Sequence, residues 1–511
     1  MARSVGRTGN DTTHGPGSAG LPRTWLLLWS TLLVIAAVNA VACYPLLSGD
    51  AGLLLSVVLA GAAALQIIGA PAVLGSKNAG LAWVALLLFV FSQLLQWSNT
   101  RGLPPVNRSF DFSAYYLAGQ AVADQRHAGL YFVPTYADGR MNLNVPVPLA
   151  SVWGRASVRG GVPFAAPFIY PPFVAILMEP FGYLSFASAC AVWRLVTVLA
   201  AAGAMLLALS AGGIAITRRL ALLLGVGLFS YYPFLDGLWM GQIDCVILLL
   251  LAAGVWLLGR RQDLMSALCF AAATLIKLTP VLVLPVLIFH RRWRWLAAWA
   301  GWMGALLCCS LWRAGWAMHR QFWHQVLPGI GCGAPLSSNS SLVAYVQELL
   351  LGHVYDWASA PHALPPHACA VSRGVAGVMY VAMLVRFYRR RGQADLRGEI
   401  CLALLLTLVV SPISWWHHYA LALLPCLYLW SSAREWRLWT LTALVLALGT
   451  NLPGFGLLLT EQSAAQLVLA AMVPALTLAV VYLGAAPGRR AAVQRARAHV
   501  GPAGACSWAK E

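Results

Sequence analysis

Apolar residues in this chain come in long unbroken runs, without the two-residue or 3.6-residue alternation that marks half-buried elements of a soluble fold. Such runs occupy 25–47, 52–73, 79–97, 183–209, 219–235, 242–258, 295–312, 368–387, 398–412, 417–432, 437–452 and 464–485. A helix needs ~20 mostly apolar residues to cross the hydrocarbon core of a bilayer, so the pattern predicts about twelve membrane-spanning helices. Two shorter runs, 264–276 and 281–289, predict a short helical pair with Lys277 at its tip. The fold class is an all-α polytopic membrane protein with two long external loops, 98–182 and 313–367. Residues 1–24 and 487–511 are too polar and too rich in Gly and Arg to bury a core, and are expected to be disordered. That leaves 25–486 as one transmembrane domain.

Charge then orients the bundle. Net charge is +18, from 34 Lys and Arg against 16 Asp and Glu, and the lysines are limited to Lys77, Lys277 and Lys510. Arginines cluster at every second inter-span connection: Arg218/Arg219, Arg260/Arg261, Arg291/Arg292/Arg294, Arg389/Arg390/Arg391, Arg434/Arg437 and the 489–497 tail. Short connections in between carry almost none. By the positive-inside rule the arginine ends are cytoplasmic, with both termini on that side. The basic balance therefore reads as topology and contact with lipid head groups, and nucleic acid is excluded as a partner. The first run is longer than the ~7–15 residues of a signal-peptide core, so it is expected to anchor the chain.

Composition adds little beyond this. Hydrophobic residues make up 60% of the chain and charged ones 10%, too few polar groups to clothe a soluble domain. The eleven cysteines show no metal-ligand spacing; most fall within apolar runs as small core residues. Cys332 and Cys369 fall in or near one external loop, where they could pair. No internal repeat is visible, which weighs against a transporter of duplicated halves.

The chemistry-bearing residues gather on one face. With the orientation above, Asp111-Phe112 with Tyr115-Tyr116, Tyr170-Pro171-Pro172, Gly241-Gln242-Ile243-Asp244, Asn339-Ser340-Ser341-Leu342 and Ser411-Pro412-Ile413-Ser414-Trp415-Trp416-His417-His418 are all external. Structural polar residues would scatter over both faces, so this clustering argues for a single site. Asp111 is a carboxylate beside aromatics at a membrane edge, suited to a general base; Asp also suits a helix N-cap. Tyr170 before two prolines should be extended and lead into an interfacial helix over 173–181. Lys277 in an apolar stretch is costly unless it meets a counter-charge or a polar cavity, such as one holding a phosphate. Gln242 and Asn339 are amides suited to sugar hydroxyls or to helix ends. His417 and His418, being adjacent, cannot share one α-helical face, so the pair alone does not predict a metal site. Arg194, inside the run 183–209, is expected to pair with an internal acceptor. Walker, GxGxxG, HExxH and GxSxG patterns are absent from the sequence, so nucleotide-driven and zinc-hydrolase chemistry are not indicated.

Taken in order along residues 105–432, these motifs resemble those of glycosyltransferase family 87, polyprenyl-phosphate-mannose-dependent alpha-1,2-mannosyltransferase-like enzymes of the GT-C membrane fold. The resemblance implies a GT-C-type bundle and Asp111 as catalytic base. It implies a sugar, most often mannose, leaving a polyprenyl phosphate for a glycolipid or lipid-linked glycan at the external face of the inner (plasma) membrane. Donor phosphate or sugar contacts would come from Lys277, His417, His418, Gln242, Asn339, Tyr115, Tyr116 and Tyr170. No cofactor would be required, with a divalent cation left open. The chain departs from the family pattern in placing three apolar runs before the acid, and in having Ser340 where the family has an amide. The competing reading is a transporter or flippase of lipid-linked sugars, which would need ionisable residues along a path through the bilayer.

Overall fold

The computed structural model describes residues 109–124, 131, 162, 166–217, parts of 220–228, 231–336, 338–353, 355, 364–391, 395–432 and 474–482. The expected spans at 25–47, 52–73, 79–97, 437–452 and most of 464–485, the disordered termini, and the turn at Gly129-Leu130 lie outside these residues. Among the described residues regular structure is helical, with two isolated β-bridges, Leu336 to Tyr355 and Asn339 to Trp415.

Among the described residues, three helices are long and apolar enough to cross a membrane: α4 (Phe186–Ala211), α9 (Trp293–Gln321, continuing helically to Gly331) and α12 (Pro366–Arg390). Shorter apolar helices pack among them: α6 (Asp244–Gly259), α7 (Asp263–Ile276) and α8 (Leu284–Phe289), the last preceded by a 3-10 turn over Thr279–Val283. The predicted short pair around Lys277 is thus α7 followed by Thr279–Phe289. Core elements α4, α6, α7 and α9 lie side by side in sequence-adjacent pairs, and α13 (Leu396–Val410) with α14 (Leu423–Ser432) closes the bundle.

Helix starts follow local chemistry. Ser185, Ser341 and Asp395 are extended and accept the amide N–H of Ser188, Ala344 and Gly398, supplying caps to α4, α11 (Leu342–Leu351) and α13. Proline opens α2 (Pro172–Leu177) and α12 and sits in the first turn of α5 (Tyr232–Met240), where no intrahelical amide is lost.

The expected loop 313–367 is helical at its start. Arg313, His319 and Arg320 interrupt the apolar run, yet α9 continues through them because their polarity is met locally. Arg313 is paired with Glu179. His319 donates from Nδ1 to the Gly315 carbonyl at 2.8 Å and accepts the Ser310 hydroxyl at Nε2, 3.0 Å away. Gly315, at φ 79°, breaks the helix there without ending it. Cys332 and Cys369 are not joined by a disulfide.

The bundle has two chemically distinct ends. At one end, Arg397 reaches the Ala211 carbonyl closing α4, His290 pairs with Glu399, and Arg292 pairs with Asp263. At the other lie Asp244, the Lys277 break and the 411–418 segment. Helix α6 runs between them, 16 residues or about 24 Å at ~1.5 Å per residue.

Candidate active site

Asp111 sits in the first turn of α1 (Phe110–Ala123), with Ser109 at the N-cap position. It is therefore not the cap, and both carboxylate oxygens are left for other partners. Phe112 fixes this helix: its ring lies 5.7 Å from Trp193 of α4 and 6.1 Å from Phe181 and from Phe186. Close helix approach is needed on the far side as well. A Cβ on Gly119 would stand 2.3 Å from the Met178 carbonyl oxygen, so only glycine lets α1 rest on α3 (Glu179–Gly182).

Gln242 organises the centre. It follows Gly241, which closes α5 at φ 75° and whose carbonyl accepts the Trp193 indole N–H at 2.8 Å. The Gln242 Oε1 accepts two phenols, Tyr115 at 2.8 Å and Tyr170 at 3.2 Å. That fixes the amide's orientation and aims its NH2 at Asp111 Oδ2, 2.5 Å away. Asp111 is partly exposed, and its Oδ1 has no hydrogen-bond partner among the described residues. Tyr170 owes its place to Pro171-Pro172, and its carbonyl is held by Tyr131 at 2.7 Å. Its side chain is buried in the site.

Lys277 ends α7 in extended geometry, φ −148°, and its Nζ meets Asp244 Oδ1 at 2.9 Å. Its cost in an apolar stretch is thus offset by a carboxylate, while Asp244 Oδ2 is buried without a partner. His417 and His418 lie on a 3-10 turn, Trp416–Ala422. Although this winding sets successive residues about 120° apart, the two rings come together, centroids 4.7 Å apart. His417 Nδ1 faces Asp236 Oδ2 at 3.2 Å, which leaves its buried Nε2 unpartnered. His418 Nδ1 accepts the Trp415 amide at 3.2 Å.

Electrostatics follow from this packing. Burial pushes the Asp111 carboxyl above its usual range, reinforced by Asp236 and Asp244 and opposed by His417 and the Gln242 hydrogen bond. Burial also draws the Lys277 ammonium down, against the pull of Asp244. One oxygen of Asp244 and one nitrogen each of His417 and His418 lie within 4.8 Å of one another, a set able to present donors to a cation. Lys277 already places a positive charge on the same carboxylate, which opposes a metal there.

The fold therefore joins Asp111, Tyr115, Tyr170, Gln242, Lys277, His417 and His418. It does not bring in Tyr116 or Asn339 through any direct contact. The Tyr116 phenol donates to the Leu184 carbonyl and accepts from Gln120. Asn339 spends its amide on backbone, donating to Ala334 and Pro412 and accepting from Ser414, which clamps two loops together. Asp236 was missed by sequence reasoning. Its signal was the one that marked Lys277, an ionisable residue next to an apolar run.

Residues 168–412 match the sequence model of glycosyltransferase family 87. Similar curated proteins include a polyprenol-phosphate-mannose-dependent alpha-(1-2)-phosphatidylinositol pentamannoside mannosyltransferase of Mycolicibacterium smegmatis, 29% identical over 50% of this chain and 59% of that protein. A protein of the same description from Mycobacterium tuberculosis is 27% identical over 66% of this chain and 69% of its own length. A phosphatidylinositol mannoside mannosyltransferase of Mycolicibacterium smegmatis is 27% identical over 67% and 75%. The chain spans 59% of the length of the first of these relatives. Asp111 precedes the segment matched by the family model, so its membership of the site rests on the geometry above. Residues 168–412 of this chain are therefore similar to glycosyltransferase family 87.

Proposed function

We propose that this protein is an inverting membrane glycosyltransferase. It moves a sugar, most simply mannose, from a polyprenyl phosphate to a glycolipid or lipid-linked glycan at the external face of the inner (plasma) membrane. The observation that carries the reading is Asp111, held at Oδ2 by a Gln242 amide that two tyrosines orient, with Oδ1 unbonded among the described residues.

The chemistry runs in one displacement. An acceptor hydroxyl gives its proton to Asp111 Oδ1 as its oxygen attacks the anomeric carbon. The carbon–oxygen bond to phosphate breaks, and polyprenyl phosphate leaves with the electron pair on the opposite face of the sugar. Lys277 and the Nε2 of His417 are the groups placed to meet the departing phosphate. The reaction requires neither nucleotide nor cofactor, and Lys277 supplies a positive charge where a divalent cation would otherwise be needed. External placement rests on the arginine-rich end of the bundle lying a helix length from Asp244.

The test is transfer of radiolabelled mannose from polyprenyl-phosphate-mannose to lipid acceptors by membranes holding the wild type or Asp111→Asn at equal expression. We expect turnover to fall by roughly 10²–10⁴, the contribution of a positioned general base. Equal transfer by both would remove Asp111 from the chemistry. Chelation should leave the wild-type rate unchanged; loss restored by a divalent ion would reassign Asp244, His417 and His418 as its ligands.

A further inference from the structure

Arg194 stands on α4, nine residues in from Ser185 and about 13 Å from that end of the helix. A guanidinium cannot shed its charge, so within an apolar helix it needs an anion or a polar cavity. Other described arginines near the bundle interior find one: Arg313 takes Glu179, and Arg292 takes Asp263. Arg194 has no carboxylate partner among the described residues. One terminal nitrogen donates to Ser109 Oγ at 2.8 Å, and its Nε is buried with no partner.

Trp239 meets the same residue through its backbone. The Ser109 amide donates to the Trp239 carbonyl at 2.9 Å, and the Trp239 indole N–H is likewise buried without a partner. Ser109 itself is buried at φ 69° and leaves the start of α1 without a side-chain cap. Its hydroxyl accepts from Arg194 and keeps its own proton to give. The position thus gathers a fixed cation and a hydroxyl with a proton to give at the start of α1, with no carboxylate bonded to either among the described residues. Lys277 and His417 belong to the separate network around Asp244 and Gln242.

We infer that Arg194 and Ser109 form a second anion subsite that binds the phosphodiester of a membrane lipid, at the start of the helix that carries Asp111. The ligand chemistry is a singly charged phosphodiester on a lipid anchor. An arginine fork and a neutral O–H donor suit its oxygens, and the apolar helix around them suits its tail. Three lipids share that head-group chemistry: a phosphate-bearing glycolipid acceptor, the bulk phospholipid, and the sugar donor. The acceptor role rests on the proposed transferase reading; the binding itself does not.

The experiment uses the full-length protein in dodecyl maltoside, a phosphate-free detergent, with phosphatidylinositol titrated in and thermal unfolding as the readout. Wild type should gain melting temperature with phosphatidylinositol and none with a diacylglycerol glucoside of equal chain length. Arg194→Gln should need roughly ten- to a hundredfold more lipid for the same shift, as loss of a charged hydrogen bond implies. Arg194→Lys should recover part of it. A phosphatidylinositol response equal in wild type and Arg194→Gln, or an equal response to the phosphate-free lipid, overturns the subsite. Transfer kinetics in the same detergent then name the source. A rise in acceptor KM alone in Arg194→Gln assigns the acceptor, a rise in donor KM alone assigns the donor, and unchanged KM values with a lost thermal shift assign bulk phospholipid. Absence of transfer by the wild type would sink the transferase reading and leave the thermal result standing.

Discussion

At the scale of single residues, the site turns on how one amide tunes one carboxylate. Burial holds the Asp111 carboxyl above the ordinary value of 3.8, and the Gln242 hydrogen bond works against that rise. A base must be ionised, so the sign is fixed: activity is lost in acid and grows as pH climbs through the Asp111 pKa. The midpoint of that limb should lie above the ordinary carboxylate value. Gln242→Leu removes the group that stabilises the charged form, and the limb should move to higher pH. The pH dependence of kcat/KM for the two proteins reads this directly. A limb that stays in place would mean that some other group accepts the proton. Asp111, Lys277 and His417 were legible in the sequence because charge beside an apolar run is costly and therefore conspicuous. The roles of Tyr116 and Asn339 were not, since a tyrosine that buttresses a carbonyl and one that faces substrate have the same local sequence context.

At the scale of elements, apolar run length gave the helices and little about their ends. The runs 183–209, 368–387 and 398–412 became Phe186–Ala211, Pro366–Arg390 and Leu396–Val410. The extension of α9 beyond 312 was hidden because Arg313 and His319 look like breakers until their partners, Glu179, Ser310 and Gly315, are placed by the fold. The proximity of His417 and His418 was hidden for a related reason: helical winding of either kind points neighbours apart, and the packed side chains alone show these two rings together. Glycine placement was equally silent in sequence and is exacting in space. Gly241 combines φ 75° with a Cβ position 2.5 Å from Phe112 Cβ. Gly241→Ala therefore carries left-handed strain of about 1–2 kcal/mol and overpacking of about 1–3 kcal/mol. It should lower the melting temperature and, by shifting Gln242, the turnover of what remains folded. Gly301→Ala is the control, because a Cβ there meets nothing within 4 Å and alanine favours the helix. Equal melting temperatures for the two variants would show that the α5 turn has room to adjust.

At the scale of the whole molecule, the question is which side of the membrane the site faces, and the two ends of the bundle answer through their charge. Helix α13 starts at the capping Asp395, near Arg397 and the Arg389–Arg391 run. It ends at Ser411, from which the chain passes to His417. Helix α6 starts at Asp244 and ends at Gly259, before Arg260 and Arg261. Both helices therefore run between the site and the arginines, in opposite directions, and a single orientation satisfies both. The clamp of Asn339 onto Pro412 and Ser414 carries the 338–352 segment to the site end with them. Arginine resists translocation, so the arginine end should stay in the cytoplasm and the site should open outside. Two truncation fusions in a bacterial host test this. Alkaline phosphatase joined after Gly352 should be active, since it folds only outside the cytoplasm, and green fluorescent protein joined after Arg294 should fluoresce, since it matures only inside. The reversed pattern would put Asp111 in the cytoplasm and remove the reason for a polyprenyl-phosphate donor, because a site there has nucleotide sugars at hand.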